Sequence, residues 1–217
     1  MTAILCVEAR DVHGRLSDLG VTEQGLSDAV RRGYLAYSNC TANHPPLIPG
    51  IWAWGETVRA LREYLLPLGW TRSDEDNYSL VSNPSGEIAI AVATGDEGTG
   101  RAEASPSTKA PKGPNTIDAI AANQLHLNLF AESPPFPVPA ARSSDARDEK
   151  VTWVLLIHRA TSEVRCELSL PSSIGTDGRI DGWRERILLG CIPLDSKFVE
   201  VAPPALPDIT VDVKRRA

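Results

Sequence analysis

The stretch TWVLLIHRATSEVRCELSL, residues 152–170, decides the fold. Its first half, Trp153 to Ile157, is apolar at every position, which predicts a strand buried on both faces. In its second half Val164, Cys166, Leu168 and Leu170 alternate with Arg165, Glu167 and Ser169, the pattern of a strand with one apolar face. Residues 159–163 join the two, so 152–170 reads as a hairpin.

A second hairpin is expected upstream. Tyr78 to Ser82 and Glu87 to Thr94 are strand-like, and Asn83-Pro84-Ser85-Gly86 lies between them. Proline presets one backbone dihedral there, and glycine tolerates a positive one. Downstream, Trp183 to Leu189 reads as a short helix, and residues 198–213 as an edge strand interrupted by Pro203, Pro204 and Pro207.

The first 70 residues read as helix. Glu8 to Leu19 is closed by Gly20, and Thr22 is placed to cap a helix carrying Leu26, Ala29, Val30, Gly33, Tyr34 and Tyr37 at spacings of three and four. The prolines of His44 to Gly50 interrupt it. A third helix follows over Trp52 to Leu66, with Trp54, Val58, Leu61 and Leu65 on one face. The expectation is one α+β domain over 1–217: N-terminal helices (1–70) packed on a mainly antiparallel sheet of four to five strands (76–94 and 151–213). Long Gly/Pro-rich loops fill the insertion at 95–150.

Composition sets the class. Of 217 residues, 42% are hydrophobic and 23% charged, so a wholly disordered chain is excluded. The net charge of -6 argues against binding nucleic acid by bulk electrostatics and leaves direct contact weak at most. The start carries no signal-peptide pattern, and no apolar run reaches a membrane span. Cys6, Cys40, Cys166 and Cys191 are widely spaced, without a zinc or disulfide framework. A cytoplasmic protein is expected.

Within the insertion, Thr116 to Phe130 forms an island whose first half is helix-prone and whose second half, QLHLNLF, alternates. This heptapeptide resembles the short peptide with which bacterial replication and repair proteins dock on the DNA polymerase sliding clamp. An extended peptide of that kind offers alternate side chains to a groove. The resemblance implies that Gln124 is the polar anchor, that Leu125 lies along the groove, and that Leu127, Leu129 and Phe130 are candidates for the deep pocket.

Other residues suggest chemistry. The glycine-rich loop Thr94 to Gly100 carries Asp96 and Glu97. Lys109 and Lys112 precede a predicted helix, where free amides and a lysine suit phosphate. The spacing is neither that of a P-loop nor of a dinucleotide fingerprint. A metal-dependent nuclease would gather Asp96, Glu97 and Glu167 at strand ends around Mg2+. The order of elements near Trp52 to Thr94 resembles the PD-(D/E)XK nuclease core, but its Glu-x-Lys strand is missing. No cofactor is expected outside that reading.

Taken together, GDEGTG, PKGP, NQLHLNLF, WVLLIHR, ELSLP and WRERILL resemble bacterial accessory-genome proteins, which implies a bacterial cytoplasmic setting and no mechanism. The leading expectation is a non-catalytic accessory protein of DNA metabolism docking on the sliding clamp. The alternatives are a metal-dependent nuclease or other phosphate-handling enzyme, and a protein-binding regulatory module of a mobile-element or defence system.

Overall fold

The computed structural model describes residues 3–129 and 150–194. The elements follow in the order β1 (Ile4–Cys6), α1 (Ala9–Asp18), α2 (Glu23–Ser38), α3 (Ile48–Leu65), β2 (Thr71–Ser73), β3 (Leu80–Ser82) and β4 (Ile88–Thr94). After these come α4 (Pro114–Leu129), β5 (Val151–Arg159), β6 (Glu163–Ile174), β7 (Ile180–Leu188) and β8 (Ile192–Pro193). The strands form one eight-stranded sheet in the order β1-β7-β6-β5-β4-β3-β2, with β8 on β6.

This corrects the expected sheet of four to five mainly antiparallel strands. It is larger and mixed, because β1 runs parallel to β7 and β4 parallel to β5. β4 and β5 are apolar on both faces and take the centre, where burial on both sides favours parallel pairing. A parallel pair needs a crossover, and the segment read as loop and linker supplies it with the helix α4. The segment expected as helix at 183–189, rich in helix formers, is strand through Leu188 and not helix. β7 pairs with β6 along Glu167↔Leu188 to Ile174↔Ile180 and with β1 on its other side, so tertiary pairing overrides propensity. The edge strand expected at 198–213 lies outside the described residues.

Alternation in β5 builds two cores. Trp153, Leu155 and Ile157 pack with residues of α1, α2 and α3, including Leu16, Leu26 and Leu61, while Val154 and Leu156 pack on the other face with Ile120 of α4, Ile180 and Trp183. The result is three layers, with helices on both sides of the sheet.

The two longest N-terminal helices form an antiparallel hairpin. Thr22 caps α2 by accepting from the Gly25 amide. A Cβ at Gly33 would sit 2.6 Å from the Ala53 carbonyl oxygen, and one at Gly25 would run into the Tyr64 ring. Glycine lets the backbones approach at Gly33 and seats the Tyr64 ring at Gly25. On the far side of α2 and α3, the outer surface is not covered by the sheet.

Candidate functional site

The nuclease residues come first. Glu167, fully buried, accepts Arg186 Nε at 3.0 Å and Ser169 Oγ at 2.7 Å on one carboxylate oxygen. Arg186 Nη2 at 2.7 Å and the Gly100 amide at 2.8 Å reach the other. Asp96 accepts the Gly98 and Ser107 amides, both at 3.0 Å. The Glu97 carbonyl accepts from Arg165 at 2.9 Å. Asp96 and Glu167 spend their carboxylate oxygens on the loop that follows β4. Arg186 also donates to the Arg101 and Ala104 carbonyls, and Trp183 Nε1 donates to the Pro106 carbonyl at 2.7 Å. This part of the Gly/Pro-rich insertion is thereby fastened to the sheet. Mg2+ needs carboxylate oxygens that are open to it, and here four donors occupy the Glu167 pair. Among the described residues no group of three or more metal-ligating side chains assembles.

The phosphate candidates stand apart from each other's chemistry. Lys109 is exposed; Lys112 is half-buried, and desolvation lowers its pKa. Its backbone amide donates to the Gly178 carbonyl, and the α4 amides of Thr116 and Ile117 already donate to the Gly113 carbonyl.

The clamp-like peptide does not form an extended strip over its described part. Residues 124–129 continue α4 as helix, while Phe130 lies outside the described residues. Helix propensity running through Ile117 to Leu129 outweighs the short alternation. The exposed Gln124 donates through its amide to the Ser172 carbonyl, and its neighbour Asn123 is buried against Thr152 and Pro171. Clamp docking in the expected geometry requires unwinding the end of α4 and releasing that amide.

What the sequence did not reveal lies on the outer face of the α2–α3 hairpin. A groove of about 880 Å³ runs between the helices. It is lined by Arg32, Leu35 and Ala36 of α2 with Asn39 just past its end, and by Ile51, Trp52, Trp54, Gly55, Glu56 and Arg59 of α3. The first set has the spacing i, i+3, i+4, i+7 of one helical face, and the second is a broader outward strip of α3. Leu35 is 53% exposed, Ile51 54%, Trp52 47% and Trp54 41%. Solvated apolar side chains gathered in one place mark interaction surfaces, whereas scattered ones do not.

The aromatic groups there have internal partners. Trp54 Nε1 donates to the Val92 carbonyl at 3.3 Å, and Trp52 meets His44 edge-on with ring centroids 5.3 Å apart. On the rim, Arg59 donates to both oxygens of Glu56, at 2.6 and 3.1 Å, and to Glu63. The Arg59 guanidinium holds the Glu56 carboxyl below its usual range. A smaller extension of about 400 Å³ continues from Trp54 past Arg62 to Leu66 and Arg72.

Gly55 sits in the interior of α3 and lines both parts of the groove. No atom lies within 4 Å of the position a Cβ would take, unlike at Gly25 and Gly33. A mid-helix glycine costs roughly 0.5–1 kcal/mol relative to alanine, and among the described residues no contact at that position offsets it. The sequence signal was available as Trp-Ala-Trp-Gly at 52–55, but the helical pattern assigned Trp54 to the inner face.

Comparison with known proteins gives no match among family models, curated proteins or solved structures. No helix among the described residues is long and apolar enough to cross a membrane.

Proposed function

We propose that the chain is a non-catalytic protein-binding module that takes a partner on the outer face of its α2–α3 hairpin, in keeping with the regulatory-module expectation. The observation that carries this is the groove itself: four exposed large apolar side chains around a channel between two helices, rimmed by paired charges. An apolar centre with anchored tryptophans and a polar rim is how protein interfaces are built. The Asp96 and Glu167 carboxylates support the same reading, because they are engaged in holding the loop after β4. The setting this reading supposes is a bacterial cytoplasm, which is what the sequence resemblance implies.

Site-specific photo-crosslinking tests it. A benzophenone side chain replaces Leu35 in the groove and, as control, Lys109 in the loop on the other face. Irradiation in cells is expected to give one discrete adduct from position 35, absent from position 109 and lost with Trp52→Ala. The captured partner, once identified and purified, is expected to bind the unmodified protein. Identical adducts from both positions, or none from position 35, would contradict the proposal.

A further inference from the structure

We infer that His44 is an acid-sensitive latch on the connection between α2 and α3, and that its protonation loosens the Trp52 end of the groove. The consequence for a partner rests on the docking reading above; the latch itself does not. The turn from Thr41 to His44 is closed from both ends. The His44 amide donates to the Thr41 carbonyl at 3.0 Å, and the Thr41 amide donates to His44 Nδ1 at 3.0 Å. An amide only donates, so Nδ1 holds a lone pair and the ring proton sits on Nε2. This is the neutral imidazole. The same ring meets Trp52 of α3 edge-on, with centroids 5.3 Å apart. One side chain therefore joins the turn that follows α2 to a tryptophan that lines the groove.

A proton on Nδ1 removes the acceptor and sets one N–H against another. The Thr41 amide has no second partner among the described residues, so it loses its bond. The imidazolium carries a donor at each nitrogen. It is disfavoured at the Thr41 amide and favoured near the C-terminal carbonyls of α2, where the helix dipole is negative. These are two arrangements of one side chain, and protonation selects between them. Residues 33–55 hold no Asp, Glu, Lys or Arg, so the proton creates the one full charge in that stretch. The titratable groups on the α2 side are Tyr34, Tyr37 and Cys40, and α3 offers none before Glu56. From the sheet, Arg159 reaches the same end of α2, where it stacks on the Tyr37 ring and opposes a second cation.

The test uses the full chain, isotope-labelled, at about pH 8 and pH 5, the two ends of the range in which imidazoles titrate. The N–H···N bond is read as a coupling across it between the Thr41 and His44 Nδ1 nitrogens, and the Trp52 contact as ring-to-indole NOEs. Both are expected at the higher pH and lost at the lower. Relative to its intrinsic rate, the Thr41 amide is expected to exchange roughly fivefold faster in acid, as the loss of one hydrogen bond implies. His44→Asn puts a carbonyl oxygen, which does not titrate, in place of Nδ1. That variant is expected to protect the Thr41 amide equally at both pH values. A coupling absent at the higher pH, a coupling or NOE that survives in acid, or the same acid loss in His44→Asn would overturn the latch. None of these outcomes touches the docking reading, which stands or falls on the crosslinking from position 35.

Discussion

The side-chain amide of Asn123 completes the hydrogen bonding of Thr152 where β6 cannot. Continuing the Val154↔Ser169 register by two residues brings Thr152 opposite Pro171, which has no N–H to offer and stands where the register of β6 shifts. Asn123 Oδ1 accepts from the Thr152 amide at 2.8 Å, and its Nδ2 donates to the Thr152 carbonyl at 3.0 Å and toward the Pro171 carbonyl at 3.4 Å. One buried side chain thus docks α4 on the sheet and makes a proline tolerable inside it. Asn123→Ala leaves a buried amide unpaired, and the expected loss is about 1–3 kcal/mol in urea unfolding. A loss below 0.5 kcal/mol, on the order of a neutral surface substitution, would show that water or a backbone shift replaces the amide without cost.

The loop after β4 depends on the pair Glu167–Arg186, whose side chains are almost wholly buried. Arg186→Met strands the Glu167 carboxylate, and the expected cost is about 3–5 kcal/mol. Replacing both, with Glu167→Leu and Arg186→Met, is expected to recover much of that, since apolar pairs substitute well for buried ion pairs. Trypsin cleavage at Arg101 reads the same event locally. The single variant is expected to be cut there faster than the native chain. Equal stability of the single and double variants would mean that the pair does not act as a unit.

Alkaline stability depends on a buried thiol and a partly buried phenol. Burial pushes the Cys166 thiol up to about 12, from 9.0, and the Tyr78 hydroxyl up to about 12, from 10.0. Both bind their proton more tightly folded than unfolded. Their stabilisation is complete below the unfolded-state values and lost as pH rises through the folded-state ones, from pH 9 to 12. The slope approaches about 1.4 kcal/mol per pH unit for each group. Between pH 9 and 10 the thiol acts first, so Cys166→Val is expected to flatten that part of the urea midpoint profile. An unchanged slope there would place the loss elsewhere.

The strands and helices that follow one clear period were legible: Trp153 to Ile157 as a central strand, Thr22 as a cap, and the alternation of Val164 to Leu170. What escaped was set by partners distant in sequence. Ile4 to Cys6 is too short to announce a strand, yet it pairs with β7. Trp183 to Leu189 has helix-forming residues and becomes strand because β6 and β1 flank it. Glu167 looked catalytic because an acid on an alternating strand is unusual; only Arg186, nineteen residues on, reveals its work. Gln124 to Leu129 carried a two-residue alternation that a longer helical preference overrode. The groove was hidden for a different reason. Trp52 and Trp54 have the composition of core residues, and exposure is a property of the assembled hairpin.

The most direct test of the docking role is calorimetric titration of the partner captured through position 35 into the native protein and into Trp52→Ala, with urea midpoints measured alongside. A central tryptophan of an interface is worth about 2 kcal/mol or more, roughly 30-fold in affinity. The expected result is saturable binding that weakens at least that much in Trp52→Ala, with the urea midpoint unchanged. Equal affinities for the two proteins would contradict it.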